Sequence, residues 1–452
     1  MSTYKDFLNA KTIYAESHGL TNIPELNTKL FPFQKTVVEW ALKRGRAAVF
    51  AECGLGKSFI QIEWAKHIPG NVLILAPLAV SNQTVEEGNK FGIEVQYVRH
   101  QDDIKSRIVI ANYEMLDHFD PEYFSGIVLD ESSLLKSFDG KTRTKIIEMF
   151  KNTPYKLACT ATPAPNDYME LGNHAEFLGV MTRVEMLSMF FTHDGGDTQK
   201  WRLKKHAENE FWKWMVSWAL YIKKPSDIGY SDEGYDLPDL NFYEHIASHD
   251  KIQNGYLFGN ASQSLSERIG ARRETIAERV EICKNIVMEK GGKWIIWCHL
   301  NSESDMLEKL IPGSVSIKGS DSSESKIKRM MDFIHGNTEI LISKPSILGF
   351  GINLQCCHQM AFVGLNDSWE SFYQAVRRCW RFGQYNKVDV HLISSTLEGS
   401  TLENLKQKEA RAEKMASSVV GHMKNFMIEE VKHLTKEQDY YSTIDGNLPP
   451  WL

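Results

Sequence analysis

The feature that most constrains the fold is a glycine-rich turn, Ala51–Ser58, which stands between an apolar run and a helical pattern. The apolar run Arg46–Phe50 is typical of a buried parallel strand, and Phe59–His67 has the spacing of an amphipathic helix. A strand, a glycine-rich turn and a helix N-terminus in this order point backbone N–H groups and a positive dipole end at an anion. The segment therefore predicts a cradle for phosphate groups.

The residues of this turn predict ATP and Mg²⁺ as cofactors. Gly54 and Gly56 lie in the part that would bind the phosphates. Lys57 would reach the β- and γ-phosphates, and the hydroxyl of Ser58 would ligate Mg²⁺. A chance turn of the same composition is the alternative, and the segment described next argues against it.

A second segment, Gly126–Ser133, is an apolar strand that ends in two carboxylates. Strands of a doubly wound sheet end at the ligand crevice. Asp130 would hold Mg²⁺, and Glu131 would orient and deprotonate an attacking water. An acidic cap on a strand is the alternative.

Late in the chain, Gln374–Gln384 carries Arg378 and Arg381 three positions apart, which is one helical turn. Either arginine could stabilise charge on a γ-phosphate. Other apolar and glycine-containing segments precede it in order along the chain: Leu30–Lys35, Val72–Pro77, Ala111–Met115, Cys159–Asn166, Lys293–Cys298, Lys318–Ser320, Ser343–Gln355 and Asp367–Trp369.

With these segments, residues 28–395 resemble a superfamily 2 helicase-like ATPase of the Swi/Snf type. Ala51 and Ala161 stand where related patterns have glycine, and Phe31 stands where the family often has arginine. The Ala51 form matches a variant of helicase-type motors. In the first lobe the resemblance assigns Gln34 to the adenine base, and assigns Thr160 and Thr162 to the coupling of hydrolysis to lobe movement.

The resemblance assigns further residues by class. In the second lobe Gly349 and Gly351 would face ATP, Gln374 would take part in coupling, and Arg378 and Arg381 would be catalytic. The residues expected to contact DNA by resemblance are Pro77, Asn112, Lys318, Asn353 and Trp369. Lys204 and Lys205 are added to them because they lie in a basic segment, described below. The local sequences 211–222 and 224–230 resemble phage- and prophage-encoded members.

Short apolar strands alternate with helical patterns in two series, one near Ala47, Val72, Ile108, Ile127 and Lys156 and the other near Lys293, Val315, Ile340, Met360 and Val388. The resemblance and this alternation predict an α/β fold with two RecA-like parallel-sheet lobes in tandem. A mostly helical insertion would separate the lobes, and a helix would end the chain. The expected boundaries are a leader 1–30, a first lobe 31–165, an insertion and linker 166–275, a second lobe 276–398, and a C-terminal helix and tail 399–452.

The middle segment is basic and aromatic. Residues 200–224 hold seven Lys or Arg and two Glu, together with Trp201, Trp212, Trp214 and Trp218. Phe211, Met215, Trp218 and Ile222 recur at helical spacing, which predicts one buried helix face. A helix packed on the first lobe is one interpretation, and an arm that follows the DNA backbone is the other. In the C-terminal helix, Val419, Met423, Met427 and Val431 recur every four residues, which predicts packing on the lobes or, alternatively, on a partner.

Composition limits the possible modes of nucleic-acid binding and the expected cellular compartment. A formal charge of −6 argues against general coating of nucleic acid but leaves room for a local basic track. The seven cysteines have no Cys-x-x-Cys spacing, which favours a reducing cytoplasm, that of the host if the protein is phage-encoded, and no structural zinc. The polar start Met1–Leu20 predicts no secretory signal, and the absence of a long apolar run predicts no membrane span.

These observations predict an ATP-dependent translocase on duplex or branched DNA, largely indifferent to base sequence. Branch migration or fork remodelling in phage replication or recombination is the expected setting, with phage or host proteins of those processes as possible partners. The alternatives are an RNA-directed superfamily 2 helicase, the motor subunit of a larger DNA-processing complex, a small-molecule P-loop kinase and a non-catalytic scaffold.

Overall fold

The computed structural model describes residues 14–136, 140–164, 167–194, 197–247, 273–348, 352–365, 368–395 and 399–442. The chain divides into two compact units. The first unit contains the residues up to Tyr235 together with those from Lys414 onward, and the second is Asp236–Glu413.

The first unit is built on a parallel sheet with the strand order β3-β4-β2-β5-β6-β1-β9. Its strands are β1 (Arg46–Ala51), β2 (Val72–Ala76), β3 (Gln96–Tyr97), β4 (Ile108–Asn112), β5 (Gly126–Asp130), β6 (Tyr155–Thr160) and β9 (Ala219–Ile222). A separate antiparallel hairpin pairs β7 (Phe191–Asp194) with β8 (Asp197–Leu203). The helices are α1 (Pro32–Arg44), α2 (Lys57–His67), α3 (Leu78–Phe91), α4 (Lys141–Met149), α5 (Leu171–Leu178), α6 (Arg183–Phe190) and α7 (Glu208–Val216).

The central strands are apolar along most of their length because both faces of the sheet are covered. Residues of β2, β4 and β5 are buried at every position, as expected for a parallel sheet between helical layers. The strands predicted near Ala47, Val72, Ile108, Ile127 and Lys156 are confirmed.

The predicted helical face Phe211–Ile222 is only partly correct. All four spaced residues are buried, but α7 ends at Val216, and Ala219–Ile222 forms β9. This strand pairs in parallel with β1, whose edge N–H and C=O groups need partners. The amide of Glu52 donates to the carbonyl of Ile222 at 2.9 Å, so the pairing extends to the start of the glycine-rich turn.

The helix α13 (Gly399–Ser442) contributes its later turns to the first unit. Val419, Met423, Met427 and Val431 are buried in the core of that unit, so the predicted packing face is confirmed. The Sδ atom of Met427 accepts a hydrogen bond from the amide of Tyr221 in β9 at 3.4 Å. Glu430 forms an ion pair with Arg44 of α1. These contacts cover the outer edge of β9.

The second unit has a parallel sheet with the order β10-β15-β14-β11-β13-β12. Its strands are β10 (Leu240–Ala247), β11 (Trp294–Cys298), β12 (Ser314–Ile317), β13 (Ile340–Ser343), β14 (Gln359–Val363) and β15 (Val388–Ser395). Its helices are α8 (Ile276–Lys290), α9 (Asn301–Leu310), α10 (Ser323–His335), α11 (Pro345–Leu348) and α12 (Trp369–Val376). The strands predicted from Lys293 onward are confirmed, and β10 is an additional edge strand.

The observed architecture is therefore two parallel-sheet α/β units, as predicted. The part of the sequence predicted as a mostly helical insertion, 166–275, contains α5, α6 and α7 and the hairpin β7–β8. It also supplies one edge strand to each large sheet, β9 and β10. Within the described ranges, none of the helices has the length and apolar character needed to span a bilayer.

Candidate nucleotide site and nucleic-acid contacts

The glycine-rich turn joins the end of β1 to the start of α2. Gly54 and Gly56 have φ values of +92° and +79°, a region that side chains other than glycine rarely occupy. A Cβ atom on Gly56 would lie 2.3 Å from Nε2 of Gln34. Both glycines are therefore required by backbone geometry, and Gly56 is required by packing as well.

Gln34 is buried beside this turn. Its Oε1 atom accepts the amide of Phe31 at 3.0 Å, and its Nε2 atom donates to the carbonyl of Leu55 at 3.0 Å. The side chain thus ties the start of α1 to the turn. Its contact with an adenine base stays a prediction.

Lys57 is the first residue of α2, and Ser58 follows it. The Nζ atom of Lys57 donates to the carbonyl of Ala51 at 2.9 Å and to that of Glu52 at 3.4 Å. An ammonium group held over the turn by neutral carbonyls can exchange these bonds for stronger charge-assisted bonds to phosphate. This arrangement is compatible with the role predicted for Lys57.

Asp130 ends β5, and one strand, β6, separates β5 from β1, whose end leads into the glycine-rich turn. The sheet register sets both Asp130 and Val49 of β1 opposite Cys159 of the intervening strand β6. The Oδ1 atom of Asp130 accepts Nε2 of Gln61 at 2.7 Å. Burial, followed by the neighbouring Glu131 carboxylate, raises the pKa of Asp130 to about 6, against the opposing effects of Gln61 and Lys57.

These residues fit a divalent cation. The Glu131 carboxylate disfavours the ionised form of Asp130, and a bound cation would favour it. Carboxylate and hydroxyl oxygens are ligands that Mg²⁺ accepts. Asp130 and Ser58 are the residues that would hold the ion.

Glu131 has the geometry of a strained functional residue. Its φ is +53°, the sole positive value at a non-glycine residue in the part of the chain that the structure describes. The side chain is 6% exposed, and Oε2 has no hydrogen-bond partner among the described residues. A buried carboxylate oxygen left open in this way can accept a proton from a water molecule.

The threonines predicted to couple hydrolysis to movement lie at the end of β6, between the other two strand ends. Oγ1 of Thr160 accepts the amide of Thr162 at 3.1 Å, and both residues are buried. The structure therefore brings the turn, the carboxylates and these threonines to one edge of one sheet. Their coupling role stays a prediction.

Pro77 follows β2 and Asn112 ends β4, farther along the same edge. Asn112 is buried, and its side chain accepts Oγ of Ser81 at 2.9 Å and donates to the hydroxyl of Tyr97 at 3.2 Å. Asn112 thus orders the strand end from within the protein. Direct contact with DNA stays a prediction for both residues.

The basic middle segment divides into buried and exposed parts. Trp212, Trp214 and Trp218 are at most 1% exposed, which confirms the packed-helix interpretation for Trp212 and Trp214, whereas Trp218 is buried beyond the end of α7. Lys204 donates to the carbonyls of Ser188 and Met189 at 2.9 and 3.0 Å and so caps α6. Lys205 and Arg202 are exposed, and the ring of Trp201 packs at a tilt against that of His193 with centroids 3.7 Å apart. Contact of Lys204 and Lys205 with DNA stays a prediction.

In the second unit the two arginines have different environments. Arg378 is 3% exposed, and its guanidinium donates to Oε1 and the carbonyl of Gln374 at 2.6 and 2.8 Å and to the carbonyl of Ile352 at 3.4 Å. Arg381, one turn later, is partly exposed. Arg378 therefore organises the segment around Gln374, and Arg381 is the arginine accessible from outside.

The other residues predicted in the second unit are at scattered positions. Lys318 forms exposed ion pairs with Asp305 and Glu308 at 2.7 and 3.2 Å. Oδ1 of Asn353 accepts the amide of Gln355, and Trp369 stacks on Tyr373 with centroids 4.8 Å apart. Gly349 and Gly351 lie outside the described residues. The DNA and nucleotide contacts of this group stay predictions.

Three residues that the sequence did not indicate support the carboxylates. Gln61 binds Asp130, the hydroxyl of Tyr113 donates to the carbonyl of Asp130 at 2.6 Å, and His174 pairs with Ser132. Gln61 could have been found, because it lies four positions after Lys57 on one face of α2. No local signal marks His174, because its contact depends on a distant helix.

The fold and this site define a class: a two-unit, parallel-sheet protein with a phosphate cradle and a carboxylate pair. Residues 278–383 match the family model described as the helicase conserved C-terminal domain. A nucleic-acid-stimulated ATPase or helicase is the class of enzyme that this match supports.

The curated relatives agree with that class. The chain is 29% identical over 439 residues to the Mus musculus protein named DNA annealing helicase and endonuclease ZRANB3, covering 84% of this chain and 40% of the relative. It is 30% identical over 430 residues to a Caenorhabditis elegans protein named SWI/SNF-related matrix-associated actin-dependent regulator of chromatin subfamily A-like protein 1 homolog, covering 85% and 61%. The chain thus spans 40% and 61% of the lengths of these two relatives. The similarity therefore extends over most of this chain but over only part of each relative.

A solved structure described as the Sulfolobus solfataricus SWI2/SNF2 ATPase core in complex with dsDNA aligns with a TM-score of 0.42 and 18% identity. The alignment covers 91% of this chain and 99% of that chain.

Proposed function

We propose that this protein hydrolyses ATP to move on duplex or branched DNA. The observation that carries the proposal is the register of the first sheet, which gathers the cradle at β1, the carboxylates at β5 and the threonines at β6 on one edge. The helicase-type domain in residues 278–383 supports nucleic acid as the activator.

Each residue of the site has its own role in the proposed hydrolysis of ATP. Backbone N–H groups of the turn and the ammonium of Lys57 would bind the phosphates. Mg²⁺, when bound, neutralises phosphate charge, and Ser58 and Asp130 would hold it. Glu131 would accept the proton of the attacking water. Arg381 would stabilise the charge that develops on the transferred phosphoryl group.

For the DNA we propose branched or partly paired molecules, with branch migration or fork remodelling as the outcome. The name of the mouse relative, a DNA annealing helicase, supports this choice. We further propose a cytoplasmic setting in phage replication or recombination, supported by the local resemblance of residues 211–222 and 224–230 to phage-encoded members. Replication or recombination proteins of phage or host would then be its partners.

The test is steady-state ATP hydrolysis without nucleic acid and with duplex DNA, single-stranded DNA, a four-way junction or RNA. Arg381→Ala should abolish any stimulation. Lys387→Ala is a matched control, because it removes an exposed positive charge of the same unit whose ion pair with Asp239 is about 70% exposed at both side chains.

Stimulation by duplex or junction DNA that is lost in Arg381→Ala and kept in Lys387→Ala would support the DNA motor. A larger response to RNA than to any DNA would favour the RNA-directed alternative. Equal rates in all tubes would contradict direct activation by nucleic acid.

A further inference from the structure

The short helix α5, which lies outside the predicted first lobe, packs against the turn that follows the catalytic carboxylates. The Nε2 atom of His174 and Oγ of Ser132 are 3.1 Å apart. The Nδ2 atom of Asn173 donates to the carbonyl of Lys136 at 3.2 Å, at the other end of that turn. One face of α5 is therefore bonded to both ends of the 3₁₀ turn Ser132–Lys136.

His174 is fixed on a second side by the sheet. Its ring lies edge-on against Phe50 of β1, with centroids 5.1 Å apart and an interplanar angle of 79°. Phe50 pairs in register with Thr160 of β6. Both His174 and Ser132 have 0% exposure. The imidazole is thus a rigid link between the strand that leads into the cradle and the residue after Glu131.

Glu131 needs such a link because its backbone is in an unfavourable region. A non-glycine residue keeps a φ of +53° only when the surrounding structure holds it there. Before it, the carbonyl of Asp130 is held by the hydroxyl of Tyr113 at 2.6 Å. After it, the side chain of Ser132 is held by His174.

We propose that His174, acting through Ser132, is a positioning residue that holds Glu131 in its left-handed conformation and so aims its carboxylate at the attacking water. The catalytic part of this inference rests on the proposed ATPase function. His174 itself is not placed to touch a reactant, because it is fully buried behind Ser132 and Phe50. Its effect should therefore fall on turnover and spare nucleotide binding.

The experiment compares four variants with the wild type. Ser132→Ala removes one oxygen and leaves the core intact, and His174→Ala removes the ring. His174→Gln places an amide nitrogen near the position of Nε2 and should restore the bond. Glu176→Gln is the matched control on the same helix, because Glu176 forms its ion pair with Arg143 of α4 and not with Ser132 or Glu131.

Ser132→Ala and His174→Ala should lower kcat by about 10²-fold, the usual effect of displacing a reacting group by about 1 Å. The KM for ATP should stay within about twofold of the wild-type value, because binding common to ground and transition states is unchanged. His174→Gln should recover most of the loss, and Glu176→Gln should resemble the wild type. Crystal structures should show that Glu131 leaves the positive-φ region in Ser132→Ala.

Two results would overturn the proposal: Ser132→Ala with unchanged kcat, or a Glu131 conformation that is unchanged in the Ser132→Ala crystal structure. An equal loss in Glu176→Gln would also overturn it, because it would assign the effect to the stability of the helix. A wild-type protein without ATPase activity would refute the proposed function instead. In that case the conformation of Glu131 in the variant crystals would still decide the positioning role.

Discussion

Both units bury a carboxylate just after a strand of their parallel sheet, but they use it differently. In the first unit, Oε2 of Glu131 has no hydrogen-bond partner among the described residues, and the backbone at Glu131 is strained. In the second unit, Glu303 follows β11 and is fully bonded. Its Oε1 meets Nη1 of Arg279 at 2.8 Å, and its Oε2 accepts the amides of His299 and Leu300 at 2.9 Å each.

This difference indicates that Glu131 is available to a reactant, whereas Glu303 stabilises the fold. A buried charge is tolerable when it is paired and hydrogen-bonded within the protein. Glu303 meets that condition without a ligand. Oε2 of Glu131 has no such partner among the described residues, which leaves this oxygen open to a water molecule. The arginines of the second unit differ in exposure, since Arg378 is buried and bound internally whereas Arg381 is partly exposed.

The largest expected effect separates these two arginines. Arg381→Ala should lower kcat by about 10³–10⁵-fold, which is the usual contribution of an arginine that stabilises phosphoryl charge. Its melting temperature should stay near that of the wild type. Arg378→Ala should instead lower the melting temperature, because it leaves the buried amide oxygen of Gln374 without its donor. ATPase assays and thermal unfolding of both variants would check this, and a reversed pattern would contradict the assignment.

A second test replaces the two carboxylates by amides of the same shape. Glu131→Gln should bind ATP but lose about 10²–10⁴-fold in kcat, since the general base is gone. It should keep or gain stability, because the repulsion between neighbouring carboxylates is removed. Glu303→Gln should destabilise the second unit by about 3–5 kcal/mol, because the fully buried ion pair between Glu303 and Arg279 is lost.

Urea unfolding and nucleotide-binding titrations would measure both sides of this second test. If Glu303→Gln unfolded like the wild type, the buried ion pair would contribute nothing to the fold. If Glu131→Gln hydrolysed ATP at the normal rate, Glu131 could not be the base.

The smallest expected effect concerns Lys156 at the opposite edge of the first sheet. Burial, and then the charge of Arg46, lowers the pKa of Lys156 to about 7, and its Nζ donates to the carbonyl of Phe177 at 2.9 Å. Between pH 7 and the ordinary lysine pKa the unfolded chain binds more protons than the folded one, so folding stability rises with pH. Lys156→Met lacks this dependence.

As the pH rises from about 7 to 9, the melting temperature of the wild type should therefore rise relative to that of Lys156→Met. The expected rise is about 2–4 °C for each kcal/mol of folding free energy that the wild type gains. Below pH 7 the difference should be constant, because both states are then protonated. The measurement is the melting temperature of both proteins at several pH values between about 7 and 9. If the two melting temperatures changed with pH in the same way, the amine of Lys156 would have its ordinary pKa in the folded protein.

The sequence predicts the parts of this molecule that depend on local order. Apolar runs locate the central strands, and the glycine turn and the acidic strand end locate Lys57, Asp130 and Glu131. These features can be predicted because each lies within one short segment whose chemistry limits its structure. The gathering of β1, β5 and β6 at one edge follows from the rules of parallel sheets.

The remaining features depend on distant contacts. Residues 219–222 have helical spacing in the sequence, yet the unpaired edge of β1 draws them into a strand. The spacing of Arg378 and Arg381 does not reveal which one is buried, because the carbonyls that surround Arg378 come from residues 352 and 374. Likewise, nothing near His174 in the chain indicates that its ring meets Ser132.

The last strand of the first sheet has a consequence for how the chain is made. The outer edge of β9 is covered by Met427, and Val431 lies in the same core, so the first unit is completed by residues near the end of the chain. A ribosome adds about 5–20 residues per second, and about 200 residues lie between β9 and the turns of α13 that cover it, so roughly 10–40 s separate their synthesis. During that interval the nascent chain exposes an apolar edge beside the strand that leads into its nucleotide cradle. Protection of that edge by a chaperone would matter most for this protein during its synthesis, and a gene fragment that stops before Met427 would carry the exposed edge permanently.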